Sequence, residues 1–310
     1  MATENVYNSG LNKWSMLLAF CTLLLVVAGG LVTSRDAGLS VPDWPLSYGK
    51  LMPPMEGGIL YEHGHRMIAT TVGLFTIVSM IWIFRVETRK WMKNLGVAAL
   101  LAVITQGVLG GITVIYLLPW YISTSHASMA QLFFSTTVAI ALVTSKWWVA
   151  GAAESEENPA FPIRSLSMLV PFCVLGQLAL GAAARHKAIG SIYHISGSPI
   201  ATGVILWFSV RVLLHYAHNR ELRLGAQTLL GVTFCQVFLG IAAYMSRIAY
   251  SRSFAYNVLL AMVRDSIMLP PRERDSTIPQ RARRWHKYVP PEDRNLYHFI
   301  QGRNELLGIM

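Results

Sequence analysis

Long stretches without a charged side chain alternate with short polar segments along most of this chain. Seven of them, Trp14–Thr33, Met67–Phe84, Asn94–Leu118, His126–Ser145, Ser165–Ala184, Ala188–Val210 and Leu224–Ser246, predict helices. Each is close to the ~20 residues that a helix needs to cross a hydrocarbon core. The first is longer than the apolar core of a signal peptide, and Ala28-Gly29-Gly30 leads on into a structured loop, so it reads as a retained span. The third and fourth form one uncharged run broken at Leu117-Leu118-Pro119-Trp120, where proline ends a helix. After Tyr250 the pattern changes. Ser253–Val263 is uncharged but too short to span, and Arg264–Met310 carries nine Arg or Lys, six Asp or Glu and five Pro. That end reads as a solvated tail with one short helix near Glu292–Ile300.

Composition turns these stretches into membrane spans. Of 310 residues 53% are hydrophobic and 14% charged, against roughly 25% charged in a soluble domain. The fold class expected is an all-α polytopic membrane protein. A net charge of +10 would suit nucleic acid, but the basic residues lie between apolar runs and so report topology, with membrane lipid as the partner and no nucleic acid. Arg85, Arg89, Lys90 and Lys93 mark one short loop, and Arg211, Arg220 and Arg223 another. The positive-inside rule puts both loops and the amino terminus in the cytoplasm and Ser34–Arg66 outside. Cys21, Cys173 and Cys235 fall on separate apolar helices and read as packing residues.

A fixed-offset similarity divides the chain. Gln106-Gly107-Val108-Leu109-Gly110 matches Gln236-Val237-Phe238-Leu239-Gly240, and Val26–Gly30 before Arg35 resembles Gln177–Gly181 before Arg185. His65 precedes Gln106 by 41 residues and His194 precedes Gln236 by 42. The expected architecture is therefore two pseudo-symmetric four-helix bundles related by a parallel repeat, the second lacking a full eighth helix. The divisions are a cytoplasmic lead (1–13), an amino-terminal bundle (14–150), a linker (151–164), a carboxy-terminal bundle (165–263) and a polar basic tail (264–310).

His65, His126 and His194 then open the second, fourth and sixth helices, all at the outer face. A lone intramembrane histidine is usually a hydrogen-bonded packing residue. Three at repeat-related helix mouths are what axial ligation of a porphyrin iron requires. Glu62 stands three residues before His65, on the same helical face. His63 falls on another face and reads as a loop histidine, while His186, His215, His218, His286 and His298 read as solvated. The 20-residue step from Gln106 to His126, repeated from Gln236, lands on Tyr256, a tyrosine where the repeat predicts a fourth ligand.

Glu62-x-x-His65-Arg66, the histidine opening helix four, the loop Gly38-Leu39-Ser40-Val41-Pro42-Asp43-Trp44-Pro45-Leu46-Ser47-Tyr48-Gly49 and the duplicated bundle together resemble the heme A synthase family over about residues 14 to 250. The resemblance implies an eight-helix membrane oxidoreductase, of the bacterial inner membrane, that converts the ring D methyl group of heme O to the formyl group of heme A for cytochrome oxidase assembly. Carried over residue by residue, it makes His65 and His126 the ligands of the substrate heme and Glu62 the carboxylate beside the reacting methyl. His194 becomes an axial ligand of a heme b cofactor, and the family's fourth histidine has no counterpart. Arg35, Arg66 and Arg185 would pair with heme propionates or anchor the interface. Some relatives carry a cysteine pair in the first outer loop; this loop has none. The partners implied are heme O delivered by a heme O synthase, an electron acceptor and lipid, and a homo-oligomer is compatible with the pattern. The rival readings are a non-enzymatic di-heme b electron-transfer protein, a parallel-repeat transporter, and an inactive family member whose end is truncated or frame-shifted.

Overall fold

The computed structural model describes residues 7–151 and 162–268, the side chains of Arg247 and of residues 250–268 excepted. In chain order the helices are α1 (Ser9–Ser34), α2 (Gly57–Val86), α3 (Lys90–Ile115), α4 (Trp120–Val143), the single turns α5 (Lys146–Val149) and α6 (Ile163–Leu166), then α7 (Leu169–Arg185), α8 (Ser191–His215) and α9 (Arg220–Met268). Seven of the described helices are long and apolar enough to cross a membrane, the short α6 counting with α7.

The first four long helices close a bundle in which α1 packs on α2 and α4, and α3 on α2 and α4. Its core takes Leu11 and Leu18 from α1, Val72 and Ile83 from α2, Met92 and Ala99 from α3, and Phe133 and Ile140 from α4. Small hydroxyl residues share these inner faces and satisfy themselves one turn back: Thr22 Oγ1 donates to the Leu18 carbonyl at 2.7 Å, and Thr76 Oγ1 to Val72 at 2.7 Å. Such internal satisfaction is what a medium without water demands. Asn12 ties the start of α1 to the end of α4, its Nδ2 donating to the Ala141 carbonyl at 2.9 Å and to Thr144 Oγ1 at 3.2 Å. Outward-facing Leu, Val, Ile and Phe remain exposed along every span, as lipid-facing residues should.

Helices α1, α3 and α7 stop in the same way. The amides of Ala37, Leu118 and Ala188 reach back five residues to Val32, Thr113 and Ala183, at 2.9, 2.7 and 2.8 Å. The residue before each, Asp36, Leu117 or Lys187, has positive φ. This is the Schellman ending, built on non-glycine residues, and it reverses the chain within a few residues.

Two helix starts differ from expectation. α2 begins at Gly57, whose φ is +53°, so Glu62, His63 and His65 lie inside the helix and not at its mouth. α4 begins at Trp120, placing His126 in the second turn. Pro119 and the extended Glu56 set these starts. At the other end α9 runs without a break to Met268, into the first residues of the segment expected as a polar tail. No proline or glycine follows Gly240 in that helix, so the turn that separates α3 from α4 is not reproduced. Packing divides the chain into one unit ending at Thr233 and a second beginning at Phe234. In the first unit α7 pairs with α8 and packs on α4. Residues 269–310, including His286, His298 and the short helix expected near Glu292, lie outside the described residues, as does the middle of the linker.

Candidate functional site

Each of the three singled-out histidines lies edge-on against a glycine of the preceding long helix. A Cβ added at Gly29 of α1 would stand 3.1 Å from His65 Cε1, one at Gly110 of α3 3.3 Å from His126 Cε1, and one at Gly181 of α7 2.9 Å from His194 Cε1. One turn before each glycine a backbone carbonyl faces the same ring, Leu25 for His65 and Gln106 for His126. For His194 it is Gln177, whose carbonyl lies 3.2 Å from Nδ1. The Nδ1 atoms of His65 and His126 are buried and lack a closed hydrogen bond. His194 is tied further, with Gln177 Nε2 3.0 Å from its Nδ1 and donating to its carbonyl at 2.8 Å.

His65 and His126 are electrostatic neighbours, and His186 at the end of α7 also lies near enough to His126 to interact with it. His186 was read as solvated. It is half-buried, because α7 packs on α4, and burial, with Arg185 beside it, holds its pKa below the ordinary histidine value. Among the described residues no group of three His, Cys, Asp or Glu converges to hold a bare metal ion.

Glu62 is 4% exposed and both its oxygens are engaged. Oε1 accepts from Arg66 Nη2 at 2.7 Å and Oε2 from the Val41 amide at 2.8 Å. Helix capping does not explain it, since the helix starts at Gly57, five residues earlier. The same guanidinium binds the loop between α1 and α2: Arg66 Nη1 donates to the Asp43 carbonyl at 2.7 Å and to the Leu46 carbonyl at 2.8 Å. His63 is the clearest departure from the sequence reading. It is a helical residue, 6% exposed, with Nδ1 2.8 Å from Ser47 Oγ and Nε2 buried without a hydrogen bond.

The loop is thus clamped over α2. Asp43 receives the amides of Tyr48 at 2.6 Å and Gly49 at 2.8 Å, and the Gly49 bond leads the causes that hold its carboxyl below the usual range. Tyr48 Oη donates to the Ser40 carbonyl at 2.6 Å. Trp44, joined to Pro45 by a cis peptide, lies flat against α3, where a Cβ on Gly111 would stand 2.6 Å from its ring.

Of the other residues singled out, Arg35 lies over the Tyr61 ring at 5.5 Å, and Arg185 Nη2 donates to Ser34 Oγ at 2.8 Å, joining the C-terminal ends of α7 and α1. Tyr256 lies within α9, in the part whose side chains are not described. Among the described residues nothing lies within 4 Å of a Cβ placed on Gly240, the repeat partner of Gly110. Sequence reasoning missed Ser47, His63, Gln177 and the seating glycines. Gln177 and Gly181 stood in the repeat, but nothing in the sequence announced what they touch.

Comparison with known proteins gives this geometry a context. The family described as cytochrome oxidase assembly protein matches residues 12–60 and 56–196, well over half of the chain. A heme A synthase of Symbiobacterium thermophilum is 28% identical over 191 residues, covering 59% of this chain and 61% of that protein. One of Exiguobacterium sibiricum is 24% identical over 256 residues, 75% of this chain and 84% of that protein. One of Shewanella oneidensis is 29% identical over 178 residues, 52% of each. The match thus spans less than two thirds of the first and third of these relatives and most of the second. The matched segment runs from α1 into the first turns of α8, so it contains Glu62 and all three seated histidines, and on that evidence the chain belongs to the cytochrome oxidase assembly family, the family of the heme A synthases.

Proposed function

We propose that this chain is a heme A synthase of the bacterial inner membrane, with its amino terminus in the cytoplasm and its heme sites toward the outer face. It oxidises the ring D methyl group of heme O to a formyl group. The observation that carries the reading is the neighbouring pair of imidazoles on α2 and α4, each seated on a glycine, with the buried carboxylate of Glu62 one turn before His65. A porphyrin brings four nitrogens of its own and needs only one or two protein ligands. The described residues fit that demand: isolated imidazoles whose Nδ1 edge is turned to helix backbone, and no ligand cluster for a bare ion.

His65 and His126 would hold the substrate heme, and His194 would hold a heme b cofactor, which supplies one-electron redox chemistry when bound. Two successive hydroxylations with oxygen from water give a gem-diol that loses water. The net change converts R–CH3 and H2O into R–CHO, four protons and four electrons, the electrons passing to an acceptor outside the chain. Glu62, anchored by Arg66 and the Val41 amide, is placed to stabilise an electrophilic carbon or to trap it covalently, because each oxygen keeps a second lone pair. The clamped loop keeps bulk water from the carboxylate. Arg35 and Arg185 are the candidates for propionates. Arg66 is already committed to Glu62 and to loop carbonyls, which makes it a holder of the loop and carboxylate.

Extraction and chromatography of the hemes bound to the purified protein test this reading. Heme O and heme A in the extract are expected, with heme b reporting on His194. Glu62→Gln should keep bound heme O while heme A formation falls by about a hundredfold or more, the scale of losing one preorganised electrostatic group. Unchanged heme A formation with normal heme content would favour the non-enzymatic di-heme reading.

A further inference from the structure

We propose that Gly29, Gly110 and Gly181 are positioning residues, each forming with the carbonyl one turn earlier a seat that fixes the plane of the facing imidazole and, at His65 and His126, where no side-chain amide competes, its tautomer. The inference rests on the heme-binding reading above and gives a role to glycines that the sequence shows only as members of a repeat. Three separate helix pairs carry it. Gly29 with Leu25 faces His65, Gly110 with Gln106 faces His126, and Gly181 with Gln177 faces His194. In every case the atom nearest the glycine is Cε1, with Nδ1 next and, at Gly29 and Gly181, Nε2 also within 3.7 Å, so the same tip of the ring is turned to the helix. The carbonyl one turn earlier draws Nδ1 toward it, which leaves Nε2 as the nitrogen for a ligand. A metal-bound histidine usually has its other nitrogen fixed in this way, which sets ring orientation and ligand basicity.

The seat is specific to position. Gly30 on α1, Gly107 on α3 and Gly176 on α7 lie on the same helices, yet nothing stands within 4 Å of a Cβ built on any of them. At the seating glycines a methyl group would meet the ring at 3.1, 3.3 and 2.9 Å. The imidazole would then have to shift by a few tenths of an ångström or turn. Packing alone would tolerate that, but a short, directional axial bond would not.

The test compares Gly29→Ala, Gly110→Ala and Gly181→Ala with Gly30→Ala, Gly107→Ala and Gly176→Ala in the full-length purified protein. The readouts are heme content by pyridine hemochrome and low-spin ferric g values, which report the orientation of the axial imidazole planes. The seat variants should lose about fivefold or more of the heme at their own site, the scale of an overpacked contact, or keep heme with shifted g values. The control variants should match the parent. Seat variants with parental heme content and g values would overturn the proposal.

A second measurement needs no variant to fold. In heme-free parent protein labelled with 15N-histidine, His65 and His126 should carry their proton on Nδ1, and protonation on Nε2 would overturn the seat. A parent protein that takes up no heme while showing the Nδ1 tautomer would sink the functional reading and leave the seat standing.

Discussion

At the scale of single residues, the site depends on which atoms are already committed. Arg66 spends its guanidinium on Glu62 and on the carbonyls of Asp43 and Leu46, so the arginine that follows His65 in sequence is a loop clamp. Asp43 does the complementary work at the loop tip, accepting the Tyr48 and Gly49 amides. Those bonds favour its ionised form and lower its pKa below the ordinary 3.8. For a carboxyl lowered in the folded state, the stabilising contribution is complete above 3.8 and disappears as pH falls through the lower folded value. Pepsin cleavage beside Leu51, which is 84% exposed, should therefore rise below pH 3.8 in the parent protein. In Asp43→Asn the loop should already be open at pH 5. Equal cleavage of the two proteins at every pH would show that Asp43 does not hold the loop.

At the scale of elements, the loop between α1 and α2 bridges α2 and α3. Arg66 and Glu62 hold its middle to α2, and the Trp44 ring lies on Gly111 of α3. Gly111→Ala would put a methyl group into that ring and should cost about 1–3 kcal/mol. The expected result is a red shift of Trp44 emission and faster proteolysis within 37–52, with the α1–α4 bundle intact by circular dichroism. A loop as protected as in the parent would mean that Trp44 is not its anchor. The helix ends belong to this scale too. The Leu117-Leu118-Pro119 break was legible, because proline stops a helix wherever it falls. The start of α2 was not, because Glu56-Gly57-Gly58 carries no charge pattern or strong capping residue that separates loop from helix. The sequence reading took the last charged residue as the boundary, whereas the backbone had turned helical nine residues before Arg66.

At the scale of the whole molecule, the all-α membrane class and the number of long apolar helices follow from uncharged run lengths, and the described residues carry seven. The loop charges predict an orientation that labelling would check. In intact cells a membrane-impermeant maleimide should react with Leu51→Cys, and with Trp148→Cys only after permeabilisation. The reverse pattern would invert the proposed topology. The end of the chain was less legible. Helix α9 runs on as one element to Met268, past the place where the repeat predicts a turn and a further helix. The change of pattern after Tyr250 does not interrupt it, because a helix accepts polar residues without a break when no proline or glycine forces one.

What the sequence determined alone was whatever depends on composition along one dimension: the membrane class, the helix count, the basic loops, and the spacing that puts Glu62 and His65 on one face. The resemblance read from the outer loop and Glu62-x-x-His65-Arg66 also lay there, and the family match bore it out. Only the tertiary structure decided which histidines are seated. His63 and His65 are two residues apart, yet one is buried against Ser47 and the other lies on Gly29. The physical reason is that a glycine seat, a committed guanidinium or a clamped loop is a relation between helices distant in the chain. Glycine in an apolar run looks the same whether it faces lipid, as open space, or an imidazole 3 Å away.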